Sequence, residues 1–325
     1  MWMKLLRLAL ASAFVMSVAT AAARAETFPS KPFKFIVPFP AGGATDAAAR
    51  AMQPQLEKLL GQTVVVENRA GAGAVIGLDA IAKSAPDGYT FGIGPAGAMS
   101  VNPAMQVKMP FDVRKDLTPI SGLCETPFIL AAAGNFPAKN LQELIAQAKA
   151  SPGSLSIGHG GNGTSMFYAA LLFTTMANVK IGLVPYRGTA PVATDLIGGH
   201  IGLGIVDPPP SQAALRDGTI KGLAISSKQR SAFFPDIPTF DEQGLKGYQV
   251  GGWFGLVGPA GIPPDVLAKL NAAMVTALKD PEVVKRIQDI GMEPVPMAPA
   301  EFGAFVDKEI DKITKVLAQA GDIPK

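Results

Sequence analysis

Cysteine and histidine are scarce in this sequence, and their scarcity excludes two kinds of stabilising site. Cys124 is the only cysteine among 325 residues, so no disulfide can form within the chain even in an oxidising compartment. The only histidines are His159 and His200. Because structural zinc is held by sets of cysteine and histidine ligands, a metal site of that kind is excluded. Cys124 is therefore expected to be a small buried apolar residue.

Charge and aromatic content are also low, and they argue against a nucleic-acid partner. Aromatic residues make up 7% of the sequence, and the formal net charge is +3. Lys4, Arg7 and Arg24 lie in the first 25 residues, which contain no acid, so the rest of the chain is formally neutral. Nucleic-acid binding requires a basic face, and we therefore expect no nucleic-acid partner.

The first 25 residues have the three parts of a cleavable export signal. Lys4 and Arg7 form a positive start, residues 8–22 form an apolar run, and residues 23–25 read Ala-Arg-Ala, a typical cleavage site. The apolar run is short for a membrane span. We therefore expect residues 1–25 to be a removed signal peptide, with an exported mature protein that keeps no stable membrane insertion.

The remaining 300 or so residues predict an α/β fold in two domains. The hydrophobic content of 48% is enough for two cores. Strand-like apolar runs alternate with segments of helical periodicity, which indicates parallel strands with helices on both faces of a sheet. One helix start is clearly marked, because Asn140 precedes an apolar helical pattern and Glu143 stands at the capping-box position.

The segment from Lys34 to Asp46 carries the strongest local signal for a binding site. An apolar strand ends at Pro38, and the small residues Gly42 and Gly43 follow before a helical pattern. Free amides at a helix start favour anions. We interpret this segment as a seat for the carboxylate of a small solute that the protein carries unchanged.

The helix after this seat leads to two further expectations. Thr45 or Asp46 is expected to cap its start, and Pro54 is expected to kink or break it. Asp46 has an alternative partner in Arg50, four residues later. We therefore do not expect Asp46 to contact a ligand.

Asp207 and Arg187 each leave two interpretations open. Asp207 follows a strand, at the edge where open sheets bind ligands, and an amino group would be its natural partner. A turn acid before the three prolines at 208–210 is an equally good interpretation. Arg187 has a fork of donors suited to a distal carboxylate, and a salt bridge at the surface or at a hinge is at least as plausible.

Two other motifs suggest chemistry that the rest of the sequence does not support. Residues 71–77 have the spacing G-x-G-x-x-x-G, whereas a dinucleotide fingerprint requires G-x-G-x-x-G. His159 is a candidate catalytic imidazole near hydroxyl side chains, but no G-x-S-x-G nucleophile elbow accompanies it. An exported hydrolase that uses His159 is therefore the weakest alternative.

Seven segments form an ordered set that spans nearly all of residues 26–325. They are FPSKP at 28–32, VPFPAGGATD at 37–46, VVVENRAGAG at 64–73, APDGYT at 85–90, VPYRG at 184–188, DLIGG at 195–199 and PDIPT at 235–239. In this order they resemble the extracytoplasmic solute receptors of the tripartite tricarboxylate transporter type, the Bug proteins.

The resemblance implies a two-lobed clamp like that of periplasmic binding proteins. Each lobe would be a mainly parallel sheet flanked by helices, and two crossing strands would form the hinge. Residues 26–122 and 248–325 would form the first lobe and residues 125–247 the second. A small organic mono- or dicarboxylate would bind between the lobes, held by loops and helix starts with little use of charged side chains.

The resemblance and the patterns above together mark a set of candidate ligand-binding residues. They are Pro40, Ala41, Gly42, Gly43, Thr45, Ala96, Ser100, Asn162, Gly163, Thr164, Ser165, Phe167, Arg187, Gly188, Thr189, Ala190 and Asp207. Many relatives have histidine where this chain has Phe167. If Phe167 faces the cleft, the pocket is more apolar and favours an aromatic or longer aliphatic carboxylate. Prolines 208–210 also replace the more usual Asn-Leu-Pro.

The resemblance implies a periplasmic receptor that captures a carboxylate and delivers it to the membrane subunits of a tripartite transporter. We expect a monomer that is not an enzyme and uses no cofactor and no metal. The main alternative is the same clamp acting as the ligand-sensing input of a membrane receptor kinase.

Overall fold

The computed structural model describes residues 28–319, so the predicted signal peptide lies outside the described residues. The first of two mixed sheets has six strands. They are β1 (Phe33–Val37), β2 (Val64–Asn68), β3 (Thr90–Pro95), β4 (Leu117–Pro127), β10 (Gly251–Pro259) and β11 (Glu293–Pro294). Their order across the sheet is β11-β4-β10-β3-β1-β2. β1 pairs in parallel with β2 and β3, whereas β10 is antiparallel to β3 and β4.

The second sheet has five strands from the middle of the chain. They are β5 (Ile129–Ala133), β6 (Ser156–His159), β7 (Gly182–Pro185), β8 (Leu203–Val206) and β9 (Ile220–Ile225), in the order β7-β6-β8-β5-β9. β6 pairs in parallel with β7 and β8, and β5 is antiparallel to β8 and β9. Parallel pairing occupies one side of each sheet, β3-β1-β2 in the first and β7-β6-β8 in the second, and the remaining pairs are antiparallel, so both sheets are mixed and not mainly parallel.

Helices flank both sheets. Around the first sheet are α1 (Ala44–Leu60), α2 (Val75–Ala82), α3 (Asn102–Ala104), α8 (Pro264–Lys279), α9 (Pro281–Asp289) and α10 (Pro299–Gln319). Around the second are α4 (Leu141–Ala150), α5 (Ser165–Met176), α6 (Thr189–Ile197) and α7 (Pro208–Arg216). A 3₁₀ turn at Ala72–Ala74 precedes α2, and a π-helical turn at Gly97–Val101 precedes α3. No helix within residues 28–319 is long and apolar enough to cross a membrane.

Two adjacent chain segments connect the sheets. β4 continues through Phe128 directly into β5. The chain returns after the buried residues Tyr248 and Val250, where β10 begins. Gly251 lies opposite Pro127 in the antiparallel pair of β10 and β4, so the two connections run side by side. The structure therefore has the predicted two-lobed architecture with crossing hinge strands.

Buried aromatic rings anchor each core. In the first lobe, the rings of Phe35 and Phe91 lie 4.9 Å apart between neighbouring strands. In the second, the ring of Phe240 lies 5.9 Å from Phe173 on α5 and stacks on Tyr248 at 3.9 Å. Burying each such side chain contributes about 1.5–3 kcal/mol. These contacts anchor a core in each lobe, and the core of the second lobe continues into Val101, Met105 and Ile313 of the first.

The start and the middle of α1 differ from the sequence-based expectation. Gly43, and not Thr45 or Asp46, is the N-cap, and Asp46 instead accepts a hydrogen bond from the Gly42 amide at 3.1 Å. The helix continues through Pro54, so the predicted break is wrong. Pro54 is exposed, so the carbonyl that it leaves unpaired one turn earlier can be hydrated.

Cys124 lies in β4 and is fully buried, as predicted. Its Sγ atom is 3.6 Å from the Sδ atom of Met292. Burial raises the pKa of the Cys124 thiol above its usual range, so the reactive thiolate is disfavoured.

Candidate ligand-binding site

A small cavity lies between the two lobes beside the start of α1. It offers about 50 Å³ to the centres of water molecules, which is room for a few waters. Typical ligand pockets are several times larger, so the lobes are closely apposed here. The lining residues are Phe39, Pro40, Gly43, Ala44, Thr45, Gly73, Pro95, Gly97, Phe128, Gly160, Thr164, Ser165, Met166, Arg187, Gly188, Thr189, Ala190, Pro191, Asp207 and Phe254.

Four α-helices begin at the wall of this cavity. Their N-caps are Gly43 for α1, Thr164 for α5, Gly188 for α6 and Asp207 for α7, and all four residues line the cavity. The first amides of a helix lack intrahelical acceptors and carry partial positive charge. Because α1 comes from one lobe and α5 to α7 from the other, the cavity is favourable for an anion held from both sides.

The start of α5 is fixed by Thr164. Its Oγ1 atom accepts a hydrogen bond from the Phe167 amide at 3.2 Å and donates one to the Gly161 carbonyl at 2.6 Å. Within residues 28–319 the amides of Ser165 and Met166 have no hydrogen-bond partner, and the same is true of the Ala44 amide at the start of α1. These three residues line the cavity, so their amides are donors available to a bound group.

The lobes meet through backbone at positions without side chains. A Cβ atom at Gly97 would lie 2.6 Å from the Thr164 Cα and 2.8 Å from the Ser165 nitrogen. A Cβ atom at Gly73 would lie 2.5 Å from the carbonyl oxygen of Asn162. These separations are far below normal contact distances, so this closed arrangement of the lobes depends on glycine at both positions.

Asp207 is a buried carboxyl at the cavity wall, with 1% of its surface exposed. Thr189 Oγ1 donates a hydrogen bond to its Oδ2 atom at 3.2 Å, while Oδ1 has no partner among the described residues. Burial raises the pKa of Asp207 to about 7, and the Thr189 hydrogen bond offsets this only in part. Such a carboxyl can accept a hydrogen bond from a ligand or, when protonated, donate one.

Arg187 lies at the same wall and is exposed to solvent. Its guanidinium makes no salt bridge within the part of the chain that the structure describes. The predicted alternative of a salt-bridged arginine therefore has no support here. A cation at the edge of the cavity adds to the attraction for anions that the helix starts provide.

Asp46 belongs to a separate polar cluster. Its Oδ2 atom accepts a hydrogen bond from Arg50 Nε at 2.9 Å, and its Oδ1 atom accepts one from Asn68 at 3.0 Å. Burial alone would raise the pKa of Asp46, but the hydrogen bonds from Arg50, Asn68 and Gly42 outweigh it and lower the pKa overall. The predicted pairing with Arg50 is confirmed, and Asp46 does not line the cavity.

His159 has the environment of a core residue. It is fully buried, its Nδ1 atom accepts a hydrogen bond from the Gly161 amide at 3.2 Å, and its ring lies 5.2 Å from that of Phe167. Burial lowers the pKa of His159 to about 4, so the imidazole is neutral at neutral pH. No hydroxyl or carboxylate of residues 28–319 is hydrogen-bonded to it, so the nucleophile–base pair of a hydrolase is not formed.

The structure brings many of the predicted site residues together. Those that line the cavity are Pro40, Gly43, Thr45, Thr164, Ser165, Arg187, Gly188, Thr189, Ala190 and Asp207. The others lie nearby but elsewhere: Ala41 and Gly42 in the exposed turn before α1, Ala96 and Ser100 at a second opening beside α10, and Asn162, Gly163 and Phe167 at a groove between the lobes. Because Phe167 does not line the cavity, the apolar character expected from it does not apply there.

Several lining residues were not singled out from the sequence. They are Phe39, Ala44, Gly73, Pro95, Gly97, Phe128, Gly160, Met166, Pro191 and Phe254. Phe39 and Gly97 had a usable signal, since each stands in a loop of small residues after a strand. Phe128 and Phe254 had no such signal in the sequence, because they line the cavity only as a result of how the hinge strands pack together.

No metal site was found in the described part of the chain. Among residues 28–319, no group of three or more histidine, cysteine, aspartate or glutamate side chains could hold an ion. The polar groups at the cavity are amides, hydroxyls, one carboxyl and one guanidinium, which suit an organic anion.

Comparisons with known proteins agree with this geometry. A family described as "Tripartite tricarboxylate transporter family receptor" matches residues 48–321. BugT of Bordetella pertussis is 36% identical over 97% of both chains. MatC from Rhodopseudomonas palustris, solved with bound malate, is 35% identical, has a TM-score of 0.85, and is matched over 89% of this chain and 100% of its own. R. palustris Rpa4515, solved with adipate, is 32% identical with a TM-score of 0.87, over 92% and 100% of the two chains.

These relatives are similar along the whole chain and in fold. The hydrolase and kinase-input alternatives find no support among them. The chain therefore belongs to the tripartite tricarboxylate transporter family of receptors, whose members are periplasmic solute-binding proteins and not enzymes.

Proposed function

We propose that this receptor closes on a small organic mono- or dicarboxylate in the cavity between its lobes and delivers it to the membrane subunits of a tripartite transporter. The convergence of four helix starts from both lobes on one cavity carries this proposal. The bound malate of MatC and the adipate of Rpa4515 give it further support.

The free amides at this site supply much of the attraction that a bound carboxylate needs. A hydrogen bond to a charged group contributes about 1.5–3 kcal/mol, and each helix start about 0.3–1 kcal/mol. Before ordering costs are subtracted, the amides of Ala44, Ser165 and Met166 together with the helix starts supply an attraction of the same order as the roughly 8 kcal/mol of a micromolar complex. No lysine at the cavity is required.

The charge state of Asp207 restricts which ligand groups can bind beside it. Two carboxylates cannot both be ionised at close range in a dry cavity without a large cost. Since malate and adipate have no amino group, we propose that Asp207 is protonated when a carboxylate is bound and donates a hydrogen bond to it. A ligand with an amino group would instead favour ionised Asp207.

Arg187 is proposed to select dicarboxylates. Its guanidinium lies at the edge of the cavity, where a second carboxylate would emerge from the amide cluster. A fork of two parallel hydrogen bonds to that group would add affinity without burying the arginine.

We also propose how the protein is exported, where it acts and which residues move together. Residues 1–25 direct export and are removed, and the receptor acts in the periplasm as a monomer. Residues 26–122 and 248–325 move as one lobe and residues 125–247 as the other.

Calorimetry on the mature protein tests the proposal, with a panel of aliphatic and aromatic mono- and dicarboxylates and matched amino acids. We expect micromolar binding of at least one carboxylate. Ala44→Pro removes one amide donor at the first position of α1, where proline fits because Gly43 is extended. It should weaken binding by at least about tenfold.

Ala44→Gly is the matched control, because it keeps the amide and adds no bulk to the cavity wall, and it should retain most of the affinity. Absence of binding across the panel, or equal affinity of Ala44→Pro and the wild type, would contradict the proposed site.

A further inference from the structure

The groove that contains Asn162, Gly163 and Phe167 lies beside the ligand cavity and is much larger, and we call it the lobe groove. Its volume is about 1250 Å³. One side is formed by residues 72–75 and 102–108 of the first lobe, and the other by α4, by the outer face of α5 and by residues 178–183 of the second lobe. Asn162 and Gly163 lie at the groove, while the next two residues along the chain line the cavity, so only a single turn of backbone separates the two openings.

The lobe groove combines an apolar floor with positive charge. Met105, Phe167 and Leu171 form part of the floor, and Val107 is 44% exposed there. Exposed lysines 108, 149 and 180 also line it, and their ammonium groups make no salt bridge within residues 28–319. No aspartate or glutamate is present among the described residues that line it.

The floor of the groove also carries an unsatisfied acceptor. Asn102 is 2% exposed, and its Oδ1 atom has no hydrogen-bond partner in the described chain. A buried amide oxygen of this kind costs free energy until a donor reaches it.

The groove exists as one surface only when the lobes meet. The position of a Cβ atom at Gly163 would lie 2.5 Å from Asn102 Oδ1, so backbone of the second lobe touches this side chain of the first. Lys108 is on one side of that contact, and Lys149 and Lys180 are on the other. Separation of the lobes would divide both the apolar floor and the positive charge.

We propose that the lobe groove docks an acidic, partly apolar segment of the transporter's membrane subunits, and that closure on the solute completes this docking surface. The proposal rests on the proposed function, because closure is assigned there to carboxylate binding. Charge complementarity argues for an acidic partner, since the three lysines make no salt bridge within residues 28–319 and no acid is among the described residues that line the groove. A protein segment fits better than a lipid surface, because a flat bilayer cannot reach a concave floor.

Site-specific cross-linking tests the proposal with the transporter's two membrane subunits in nanodiscs. A photoreactive p-benzoylphenylalanine replaces Val107 in the groove. As a matched control it replaces Val65, which is 52% exposed on β2 of the same lobe. We expect the probe at 107 to cross-link to an acidic segment of a membrane subunit, more strongly when the carboxylate selected by calorimetry is present, and the probe at 65 to give background yield.

Charge reversal provides the second test. The triple variant Lys108→Glu, Lys149→Glu and Lys180→Glu should lower the cross-linking yield at position 107 by about tenfold or more, since each step removes an attraction and adds a repulsion. A control triple variant at Lys58, Lys139 and Lys228, which are also exposed, should stay within about twofold of the wild type. Carboxylate affinity should be unchanged in both.

Equal yields from positions 65 and 107, or an unaffected groove triple variant, would overturn the docking surface. Equal yields with and without the carboxylate would overturn the role of closure. Lysine-dependent binding to phosphatidylglycerol vesicles that lack the subunits would assign the groove to lipid instead. Failure of every carboxylate to bind would contradict the proposed function, while cross-linking without solute would still report on the groove.

Discussion

Substitution of Asp207 by asparagine keeps the shape of the side chain and removes its charge, so it isolates the electrostatic role of this residue. Burial raises the pKa of Asp207 to about 7. Below that pH the carboxyl is protonated and can donate to a bound carboxylate. Above it, an anion would face the charge of the ligand, so carboxylate binding by the wild type should weaken as the pH rises through about 7.

The size of this effect follows from proton linkage. If the ionised form does not bind, affinity falls toward tenfold for each pH unit above the pKa, which gives about 50-fold, or roughly 2.3 kcal/mol, between about pH 7 and pH 9. His159, whose pKa is lowered to about 4, stays neutral in that interval. In Asp207→Asn the affinity should therefore be independent of pH.

The stability of the wild-type protein should also fall as the pH rises, as its affinity does. The pKa of Asp207 is higher in the folded protein, at about 7, than the ordinary value of 3.8. The folded state therefore binds this proton more tightly than the unfolded state does. The resulting stabilisation is complete below about pH 4 and is lost as the pH rises through about 7. In urea titrations, Asp207→Asn should gain up to about 4 kcal/mol over the wild type between about pH 4 and pH 8.

Calorimetry in buffers of different ionisation enthalpy measures affinity and proton uptake together. We expect the wild type to take up close to one proton on binding above about pH 7, and Asp207→Asn to take up none. Asp46→Asn is a suitable control, because Asp46 is buried but paired with Arg50 away from the cavity. Wild-type affinity that does not vary with pH would refute the protonated donor. Complete loss of binding in Asp207→Asn would also refute it, and would indicate a ligand with an amino group.

Three further substitutions test other parts of the site and fold. Gly97→Ala should weaken carboxylate binding by at least about tenfold in calorimetry, because its Cβ would lie 2.6 Å from Thr164, whereas Gly182→Ala, with 3.7 Å to its nearest neighbours, should bind normally. A Gly97→Ala variant of unchanged affinity would show that closure does not need this contact. Arg187→Gln should lose about tenfold in affinity for dicarboxylates and little for monocarboxylates, and an equal loss for both would exclude a role in selecting the second carboxylate. Asn140→Ala removes a cap that accepts the Glu143 amide at 2.9 Å, so chemical unfolding should show a loss of about 1 kcal/mol with ligand affinity intact.

Local signals in the sequence predicted the elements that depend on neighbouring residues. Asn140 caps α4 as expected, because its side chain and the Glu143 amide that donates to it are three residues apart. The strand, glycine turn and helix of residues 33–60 were also predicted. The cap itself was assigned incorrectly, because residues 42–46 offer several equivalent starts and Asp46 makes a tertiary contact with Asn68 that no local pattern contains.

The parts that were missed depend on contacts between distant residues. Gly97 is a lining residue because it meets Thr164 of the other lobe, and no local pattern contains that contact. Phe167 was a candidate ligand-binding residue because of its place in a motif. In the structure its ring lies beside that of His159, and the residue lines the lobe groove instead of the cavity. Asp207 was found because it follows a strand, but its missing hydrogen-bond partner could only be seen in the folded chain.

The single thiol of this chain has a practical consequence for measuring its motion. Because Cys124 is shielded against Met292, maleimide dyes would react instead with cysteines introduced on the surface, and the native residue could stay in place. A donor dye on one lobe and an acceptor dye on the other would then report opening and closing of individual molecules. Energy transfer between them would follow each capture event in real time, before any transporter is added.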